Sequence, residues 1–412
     1  MSYKESEVGL IPIDWDVFEL KSKANITMGQ SPKSESYNSE GLGIPFMQGR
    51  KTFGDKYHDI DTWCTDPKRF ADKGDILMSV RAPVGDVNVA TTDLCIGRGL
   101  ASLKMLNGNN EFLYYLLKNY VGEITSRETG TVFASINKKG LETVKLPFPS
   151  EIEQRVIANI LSTLDEKIET NNQINNKLEE MAQALFKHWF VDFEFPNENG
   201  EPYKSSGGEM IESELGVIPK GWSITKLDEI ITLHDSKRIP LSKNEREKRE
   251  KIYPYYGAAS LMDYVDDYIF EGVHVLLGED GTVIDELGYP IIQYVWGKFW
   301  VNNHAHVIKG KNEYSDEFVY MVLKNTKVTS AVTGAVQLKI NQKNLKNLSV
   351  VIPNNVNLIK EFSEILSYHF SIIRNNSDEN KTLISIRDTL LPKLMSGEIR
   401  IPFDNEVEVL SN

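Results

Sequence analysis

The chain repeats its own sequence once, and this repeat constrains the fold more than any other feature. The segment SEVGLIPIDW at 6–15 returns as SELGVIPKGW at 213–222, and EFLYYLLKN at 111–119 returns as EFVYMVLKN at 317–325. Two further matches keep nearly the same offset, namely GTVFASINKKGL at 130–141 with GAVQLKINQKNL at 334–345, and ILS at 160–162 with ILS at 365–367. A spacing this long excludes a solenoid repeat. We therefore expect two copies of one folded half.

Each half combines a mixed block with a long helix. Short β-branched runs such as DILMSV at 75–80 and HAHVIK at 304–309 are bounded by turn residues, which is typical of strands. Ser150 and Glu153 then form a capping-box pattern ahead of helical apolar spacing. The predicted fold is α+β, with two mixed α/β globular domains separated by two long helices. The predicted segments are domain one at 1–149, helix one at 150–195, a linker at 196–212, domain two at 213–354, helix two at 355–396 and a tail at 397–412.

The long helices carry the spacing of a coiled-coil seam. Steps of four and three run from 157 to 189 and again from 362 to 394, and each seam has two asparagines at its centre. These asparagines are Asn171, Asn175, Asn376 and Asn380. They could simply be exposed. Alternatively, a pseudo-twofold axis would pair the helices antiparallel, so that Asn171 faces Asn380 and Asn175 faces Asn376, which would fix the register. Such a coil would span roughly 50 Å, more than one DNA turn of ~34 Å.

Composition limits the class of protein. The net charge of −13 at first argues against nucleic acid, because Lys and Arg normally supply that affinity. Much of the acid lies in helix one, where 151–195 has 4 basic and 9 acidic residues, so the globular blocks are nearly neutral. No apolar run approaches the ~18 residues of a membrane span, and no secretory signal precedes the first block, which predicts a cytoplasmic protein. Cys64 and Cys95 lack metal-ligand spacing and are interpreted as reduced packing residues.

The sequence contains no recognisable catalytic motif. It has no G-x-x-x-x-G-K-[ST] loop, no G-x-G-x-x-G fingerprint, no N-P-P-Y or D-P-P-Y segment and no G-x-S-x-G elbow. The acidic LDEK segment at 164–167 is better interpreted as a solvated helix face than as a nuclease motif. His304 and His306 could share a strand face and bind zinc, but no third ligand lies nearby in sequence. We therefore predict no catalytic residue and no metal ligand.

Polar and aromatic side chains concentrate in Gly- and Pro-containing loops of both blocks. Gln can pair with adenine and Arg with guanine through two hydrogen bonds, whereas Ser, Lys and Tyr commonly hold phosphates. The candidate DNA-binding residues of the first block are Gln30, Ser31, Lys33, Ser36, Tyr37, Gln48, Arg50, Lys51, Arg81 and Arg98. Those of the second are His234, Lys237, Arg238, Tyr255, Tyr256, Glu279, Asp280, Asn302, Asn303 and His304. Each could instead be a turn residue, Arg81 and Arg98 could be buried ion-pair partners, and Tyr255 and Tyr256 could belong to the core.

The order of these motifs resembles that of the specificity subunit of type I restriction-modification systems, over essentially the whole chain. The motifs are GLIPIDW at 9–15, GVIPKGW at 216–222, SINKKGLETVKLPFPS at 135–150, LFKHWFVDFEFP at 185–196 and LLPKLMSGEIRIP at 390–402. The resemblance implies two target-recognition domains, each reading half of a split, asymmetric sequence in double-stranded DNA, with a coiled coil that sets their spacing. It implies no catalysis and no cofactor in this chain. Two modification subunits would methylate adenine with S-adenosylmethionine, and two restriction subunits would cut DNA with ATP and magnesium.

Three further expectations follow. Trp189 and Phe190 lie at the end of the seam and look exposed, so we expect them to dock modification subunits. One alternative function is a stand-alone nuclease or methyltransferase with duplicated domains, against which the missing motifs count. Another is a structural adaptor whose two blocks bind protein rather than DNA.

Overall fold

The computed structural model describes residues 2–127, 134–334 and 337–401, and the chain divides into two compact units. The first unit combines Met1–Thr170 with Glu379–Asn412, and the second is Asn171–Asp378. Both divisions fall inside long helices. The first long helix is Glu151–Phe186 and the second is Val356–Met395. Each unit therefore holds one mixed block and a segment of both long helices.

The first unit consists mainly of short strands. They are β1 (Tyr3–Ser6), β2 (Gly9–Pro12), β3 (Asp16–Glu19), β4 (Ala24–Met28), β5 (Tyr37–Asn38), β6 (Ile44–Met47), β7 (Trp63–Cys64), β8 (Phe70–Ala71), β9 (Ile76–Ser79), β10 (Val87–Val89), β11 (Leu94–Ile96), β12 (Leu100–Met105) and β13 (Lys145–Phe148). Its short helices are Asn110–Asn119, Val121–Thr125 and Lys138–Glu142. A four-stranded sheet has the order β10-β9-β12-β4, and a five-stranded sheet has the order β5-β7-β6-β11-β8, in which β6 and β11 are parallel.

The second unit has corresponding strands. They are β14 (Met210–Ser213), β15 (Gly216–Pro219), β16 (Trp222–Lys226), β17 (Ile231–Leu233), β18 (Tyr253–Tyr256), β19 (Leu261–Val265), β20 (Phe270–Glu271), β21 (His274–Gly278), β22 (Ile292–Val295), β23 (Lys298–Val301), β24 (Ala305–Gly310), β25 (Val332–Thr333), β26 (Lys339–Ile340) and β27 (Ser349–Pro353). Its short helices are Lys243–Glu247, Asp316–Lys324 and Gln342–Lys346. Its two main sheets have the orders β17-β24-β21-β22 and β19-β18-β23-β20.

These orders show that the sequence repeat is a repeat of topology. The sheet β17-β24-β21-β22 matches β4-β12-β9-β10, and β19-β18-β23-β20 matches β7-β6-β11-β8. The parallel pair β6 and β11 returns as β18 and β23. The mixed α+β architecture with an internal repeat is therefore confirmed. The second copy begins at Met210, because the hairpin of β14 and β15 starts inside the segment that we assign to the linker.

A separate hydrophobic core fills each unit and includes part of a long helix. In the first unit, Phe112 and Leu116 from Asn110–Asn119 belong to the same core as Ile157 and Leu161 of the first long helix. In the second unit, the corresponding helix and the start of the second long helix share a core. Burial of a helix against a sheet in this way supplies most of its stability. Each long helix is therefore anchored at its beginning by the mixed block that precedes it in sequence.

The two long helices run antiparallel within each unit. In the first unit, Arg387 Nη1 lies 2.8 Å from Asp165 Oδ1, and Lys167 Nζ lies 3.2 Å from Glu379 Oε2. In the second unit, the seam contains a half-buried polar contact, in which Asn376 Nδ2 donates to Asn175 Oδ1 over 3.0 Å. Asn175 is thus the partner that the antiparallel alignment predicts for Asn376.

The central seam positions differ in burial. Asn171 and Asn380 are buried, so the alternative that these two amides are exposed is wrong. Asn175 and Asn376 are half-buried. Within the described residues, the hydropathy of the helices falls short of what a bilayer crossing requires.

Candidate nucleic-acid interface

Loops that follow three strands meet at one edge of the first unit. The Gly29 amide, after β4, donates to Leu100 O over 2.9 Å. The Gly97 amide, after β11, donates to Met47 O over 2.8 Å, and the Gly99 amide donates to Gln48 O over 3.1 Å. We call residues 29–33, 48–51, 81–86 and 97–99 the first loop edge. The edge brings together candidate residues that lie far apart in the sequence.

Two glycines allow this close approach. A Cβ atom on Gly29 would overlap Gly97 O and would lie 2.8 Å from Leu100 O. A Cβ atom on Gly97 would lie 2.5 Å from Gln48 Oε1 and 2.8 Å from Gln48 Cα. These distances are below normal van der Waals contact, so any larger residue would push the loops apart. The glycines therefore fix the spacing of the first loop edge.

A polar chain connects three candidate residues on this edge. Ser31 Oγ donates to Gln48 Oε1 over 2.9 Å, and the Arg98 amide and Nε both donate to Ser31 Oγ, over 3.1 and 3.2 Å. Gln30, Gln48, Arg81 and Arg98 are exposed, so the alternative that Arg81 and Arg98 are buried ion-pair residues is wrong. This arrangement offers amide and guanidinium groups to a ligand.

Other candidates of the first block have protein partners. Arg50 forms an ion pair with Asp86, and Lys51 Nζ lies 3.2 Å from Asp61 Oδ2. Lys33 is exposed, and Tyr37 donates its hydroxyl to Pro32 O over 2.9 Å. Ser36 is buried and donates to Lys33 O over 2.6 Å. The expectation that Ser36 faces a ligand is therefore wrong, since its side chain closes a turn.

The equivalent loops of the second unit also converge. The Glu279 amide, after β21, donates to His304 O over 2.8 Å, and the Ile340 amide donates to Glu279 O over 2.8 Å. The His234 amide, after β17, donates to Val307 O over 2.8 Å. We call residues 234–238, 278–281, 302–306 and 339–342 the second loop edge. Lys237, Asn303 and His304 are exposed on it, and His304 Nδ1 lies 2.6 Å from Asp280 Oδ1.

Two candidates of the second block are buried and a third is mostly covered, so the expectation that these three face a ligand is wrong. Tyr255 is 1% exposed, packs in a core cluster with Trp300 and accepts a hydrogen bond from the Leu241 amide over 2.9 Å. Asn302 is buried and its side-chain oxygen accepts from the His304 amide over 2.8 Å. The Arg238 side chain is 11% exposed and donates to Ala305 O over 2.6 Å. Tyr256 is half-buried.

A charged cluster lies beneath the second loop edge. Asp235 Oδ2 lies 2.6 Å from His306 Nδ1, Arg238 Nη1 donates to Glu279 Oε2 over 2.8 Å, and Gln342 Nε2 donates to Asp235 Oδ2 over 2.7 Å. Burial alone would raise the pKa of Asp235, but hydrogen bonds from His306 and the backbone hold that pKa below its ordinary value. From the sequence, His306 was considered only as a zinc ligand, and Asp235 was not among the candidate residues. The signal was present in the HDSKR and HAH segments.

The same cluster has the composition of a metal site. Ligand atoms of Asp235, Glu279 and His306 lie within 4.8 Å of one another. However, Arg238 and Lys339 already neutralise these carboxylates, with Lys339 Nζ 3.3 Å from Glu279 Oε1. A divalent cation would be placed against two cationic side chains. The donor set therefore fits an internal ion-pair network better than a metal.

Trp189 and Phe190 lie inside the second unit. The first long helix continues as a π-helix over Lys187–Val191, which turns both rings inward. The Phe190 ring centroid lies 4.7 Å from that of Phe362 and 5.6 Å from that of Trp222. The expectation that these aromatic residues are exposed is wrong, because β16 and the second long helix cover them.

Known proteins match both halves of the chain. Residues 12–180 and 219–384 match the family described as "Type I restriction modification DNA specificity domain". The chain is 45% identical to a Methanocaldococcus jannaschii protein provisionally named as the MjaX type I restriction enzyme specificity subunit. That alignment covers 188 residues, 45% of this chain and 44% of the relative, so it spans under half of either protein.

Two further similarities extend over nearly the full length. The type I restriction enzyme MjaIX specificity subunit from the same organism is 28% identical, over 97% of this chain and 96% of the relative. The fold is similar to the crystal structure of a type I restriction-modification system S subunit from M. genitalium. That comparison has a TM-score of 0.60 at 21% identity and covers 93% of this chain and 96% of the other.

Proposed function

Because the chain belongs to the family of type I restriction modification DNA specificity domains, we propose that it reads a split, asymmetric target in double-stranded DNA, one half with each unit. The observation that carries this proposal is a repeated topology with different loop residues. The two loop edges occupy equivalent positions, but Arg98 on the first is replaced by Asn303 on the second. Base edges are distinguished by such donor and acceptor patterns. Two units that share a topology but differ in their loop residues would read two different DNA sequences.

The charge of the chain indicates that it works with partner proteins. Its net charge is −13, and several cations of the loop edges are paired internally, as Arg50 is with Asp86 and Arg238 with Glu279. Phosphate neutralisation normally supplies most affinity for DNA. We propose that two modification subunits supply these contacts and methylate adenine with S-adenosylmethionine, and that two restriction subunits cut with ATP and magnesium. This chain would perform no catalysis, bind no cofactor and act in the cytoplasm.

A duplicated surface supports two copies of one partner. The hairpin of β1 and β2 pairs Glu5 with Leu10, and that of β14 and β15 pairs Glu212 with Val217. All four side chains are exposed, and Leu10 is 64% exposed. Residues 5–12 read ESEVGLIP and residues 212–219 read ESELGVIP, so these outer faces are far more alike than the loop edges. We propose that each hairpin docks one modification subunit. The surface of that partner would carry an apolar patch for the Leu10 or Val217 side chain and basic residues for Glu5 or Glu212.

The long helices would hold the two half-sites apart. Their antiparallel segments within each unit, fixed by contacts such as Asn175 with Asn376, support a rigid strut of the coiled-coil type. The amides would set its register, because a slipped pairing would leave them against apolar neighbours.

The test is a domain exchange. Residues 213–354 are replaced by the matching segment of another family member, the chain is expressed with its modification subunits, and methylated adenines are mapped in the host genome. We expect a split motif with a fixed gap, of which one half changes and the other stays. Changes in both halves, or a motif without a gap, would refute the proposal.

Two controls address the alternatives. Purified chain alone, incubated with DNA, magnesium and S-adenosylmethionine, should neither cut nor methylate, whereas product formation would favour a stand-alone enzyme. An electrophoretic shift on random DNA pools, with and without the co-expressed modification subunit, tests the adaptor alternative. Failure to enrich any sequence in the assembled complex would favour protein binding alone.

A further inference from the structure

The charged cluster under the second loop edge contains a histidine whose two nitrogens both face acceptors. His306 is fully buried, with Nδ1 2.6 Å from Asp235 Oδ2 and Nε2 2.7 Å from Ile340 O. A carbonyl oxygen can only accept, so Nε2 carries a proton. The Asp235 carboxylate also accepts from the Val307 amide over 2.9 Å and from Gln342 Nε2 over 2.7 Å. An ionised carboxylate can only accept hydrogen bonds, so Nδ1 of His306 donates to Asp235 as well.

The charges of the four less exposed members of the cluster are therefore balanced. The imidazolium of His306 and the guanidinium of Arg238 face the carboxylates of Asp235 and Glu279, and His306 Nδ1 lies 3.8 Å from Glu279 Oε2. Lys339 contacts Glu279 from the partly exposed side. Buried charges are tolerated when they are paired and hydrogen-bonded in this way. Removal of one member leaves the others uncompensated.

The members of the cluster come from three segments of the second loop edge. Asp235 and Arg238 come from the loop after β17, Glu279 from the loop after β21, and His306 from β24. Arg238 also donates to Ala305 O over 2.6 Å. His306 reaches β26 through Ile340 O. The cluster thus ties together the segments that present Lys237, Asn303 and His304 to solvent.

The first unit has no counterpart of this cluster among its described residues. The strand pairings align β24 with β12 so that Ala101 stands in the place of His306, and β17 with β4 so that Met28 stands in the place of Asp235. Neither of these side chains is charged. The first loop edge is held instead by the close approach of Gly29 and Gly97. The two edges are therefore fixed by different physical means.

We propose that Asp235, Arg238, Glu279 and His306 are positioning residues for reading one half of the DNA target. They hold the loops of the second edge in place and touch no base themselves. This inference rests on the proposed function, since it assigns a role to residues behind the reading surface. It assigns to Arg238 a structural contact rather than a guanine contact.

The test compares three single variants of the chain in complex with its modification subunits. His306→Gln and Asp235→Asn each remove one charge from the cluster. His274→Gln is the matched control, because His274 is also buried and lies on the adjacent strand β21, where its ring neighbours are Phe270, Phe299 and His234 instead of the members of the charged cluster. Bound sequences are selected from two DNA pools, each of which is randomised in one half of the target. Thermal midpoints are recorded for all variants.

We expect His306→Gln and Asp235→Asn to lower base discrimination by roughly tenfold in the half read by the second unit and to leave the other half unchanged. His274→Gln should lower the thermal midpoint without changing discrimination. Equal losses in both halves, or the same loss in His274→Gln, would overturn the inference. Stoichiometric zinc in the purified complex, with discrimination lost on chelation, would overturn it in favour of a metal site. A wild-type complex that selects no split target would instead refute the proposed function.

Discussion

His274 makes the stability of the second unit sensitive to acid. Burial lowers its pKa from 6.5 to about 4, and its ring lies against Phe270 and Phe299. The unfolded chain therefore binds a proton between pH 6.5 and about 4 that the folded chain does not. Stability must fall as the pH drops through this window, by about 2 kcal/mol after allowance for solvent screening.

We predict that His274→Phe removes this component. Urea unfolding of the wild type and the variant at pH 7.5 and pH 4.5 checks it. The wild type should lose more stability than the variant between the two pH values, because only the wild type gains a proton on unfolding. Equal losses in both proteins would contradict the assignment to His274.

Gly29 provides a second test at the residue scale. In Gly29→Ala the new methyl group would collide with backbone at Gly97 and Leu100, so the first loop edge must open. We expect a loss of about 1–3 kcal/mol and weaker reading of the corresponding half-site. Gly49→Ala on the same edge is the control, since nothing lies within 4 Å of its Cβ position and its φ of −170° suits any residue. Equal thermal midpoints for the two variants would contradict the argument.

Residue type was easier to predict than residue environment. The polar character of Ser31, Gln48 and Arg98 was evident from their loops, and the structure brings them together. Tyr255 and Arg238 have the same residue types as exposed ligand contacts, but strands distant in sequence cover them. A loop sequence does not show which neighbour will bury it, so burial of single side chains could not be predicted.

At the scale of elements, the two hairpins can be tested by counting the modification subunits that the chain binds. The variants Leu10→Lys and Val217→Lys each place a charge in one proposed apolar contact, so each should remove one modification subunit. The double variant should remove both. Native mass spectrometry of the co-expressed complex measures the number bound.

The control for the hairpin variants is Leu106→Lys. Leu106 is 59% exposed, but residue 311, at the equivalent place in the second copy, is lysine. This variant should retain both modification subunits. Two subunits bound to the double hairpin variant would exclude the hairpins as docking sites.

The long helices show what periodicity can and cannot predict. The alternating spacing of four and three correctly placed Ile157, Leu161, Phe362 and Leu366 on buried faces. The same spacing includes position 189, and the expectation that Trp189 is exposed failed because the backbone changes to a π-helix at Lys187–Val191 and the ring packs within the second unit. Sequence periodicity describes a regular helix and carries no information about where that regularity ends.

At the scale of the whole molecule, the length of the proposed strut should set the gap in the DNA target. Removal of seven residues from each long helix, around the contact of Asn175 with Asn376, would shorten it by about 10 Å, roughly three base pairs. We predict that the mapped methylation motif keeps both halves and loses spacer bases. Removal of seven residues from one helix alone is the control and should abolish assembly. An unchanged gap in the paired deletion would contradict the proposed strut.

The first unit is assembled from two distant stretches of chain, 1–170 and 379–401, whereas the second is continuous. Leu391, Leu394 and Met395 complete the core around Ile157 and Leu161. During translation, all 208 residues of the second unit emerge before those side chains do. The half that leaves the ribosome first is therefore the last to close its core, and until then it must keep an apolar seam shielded from other nascent chains.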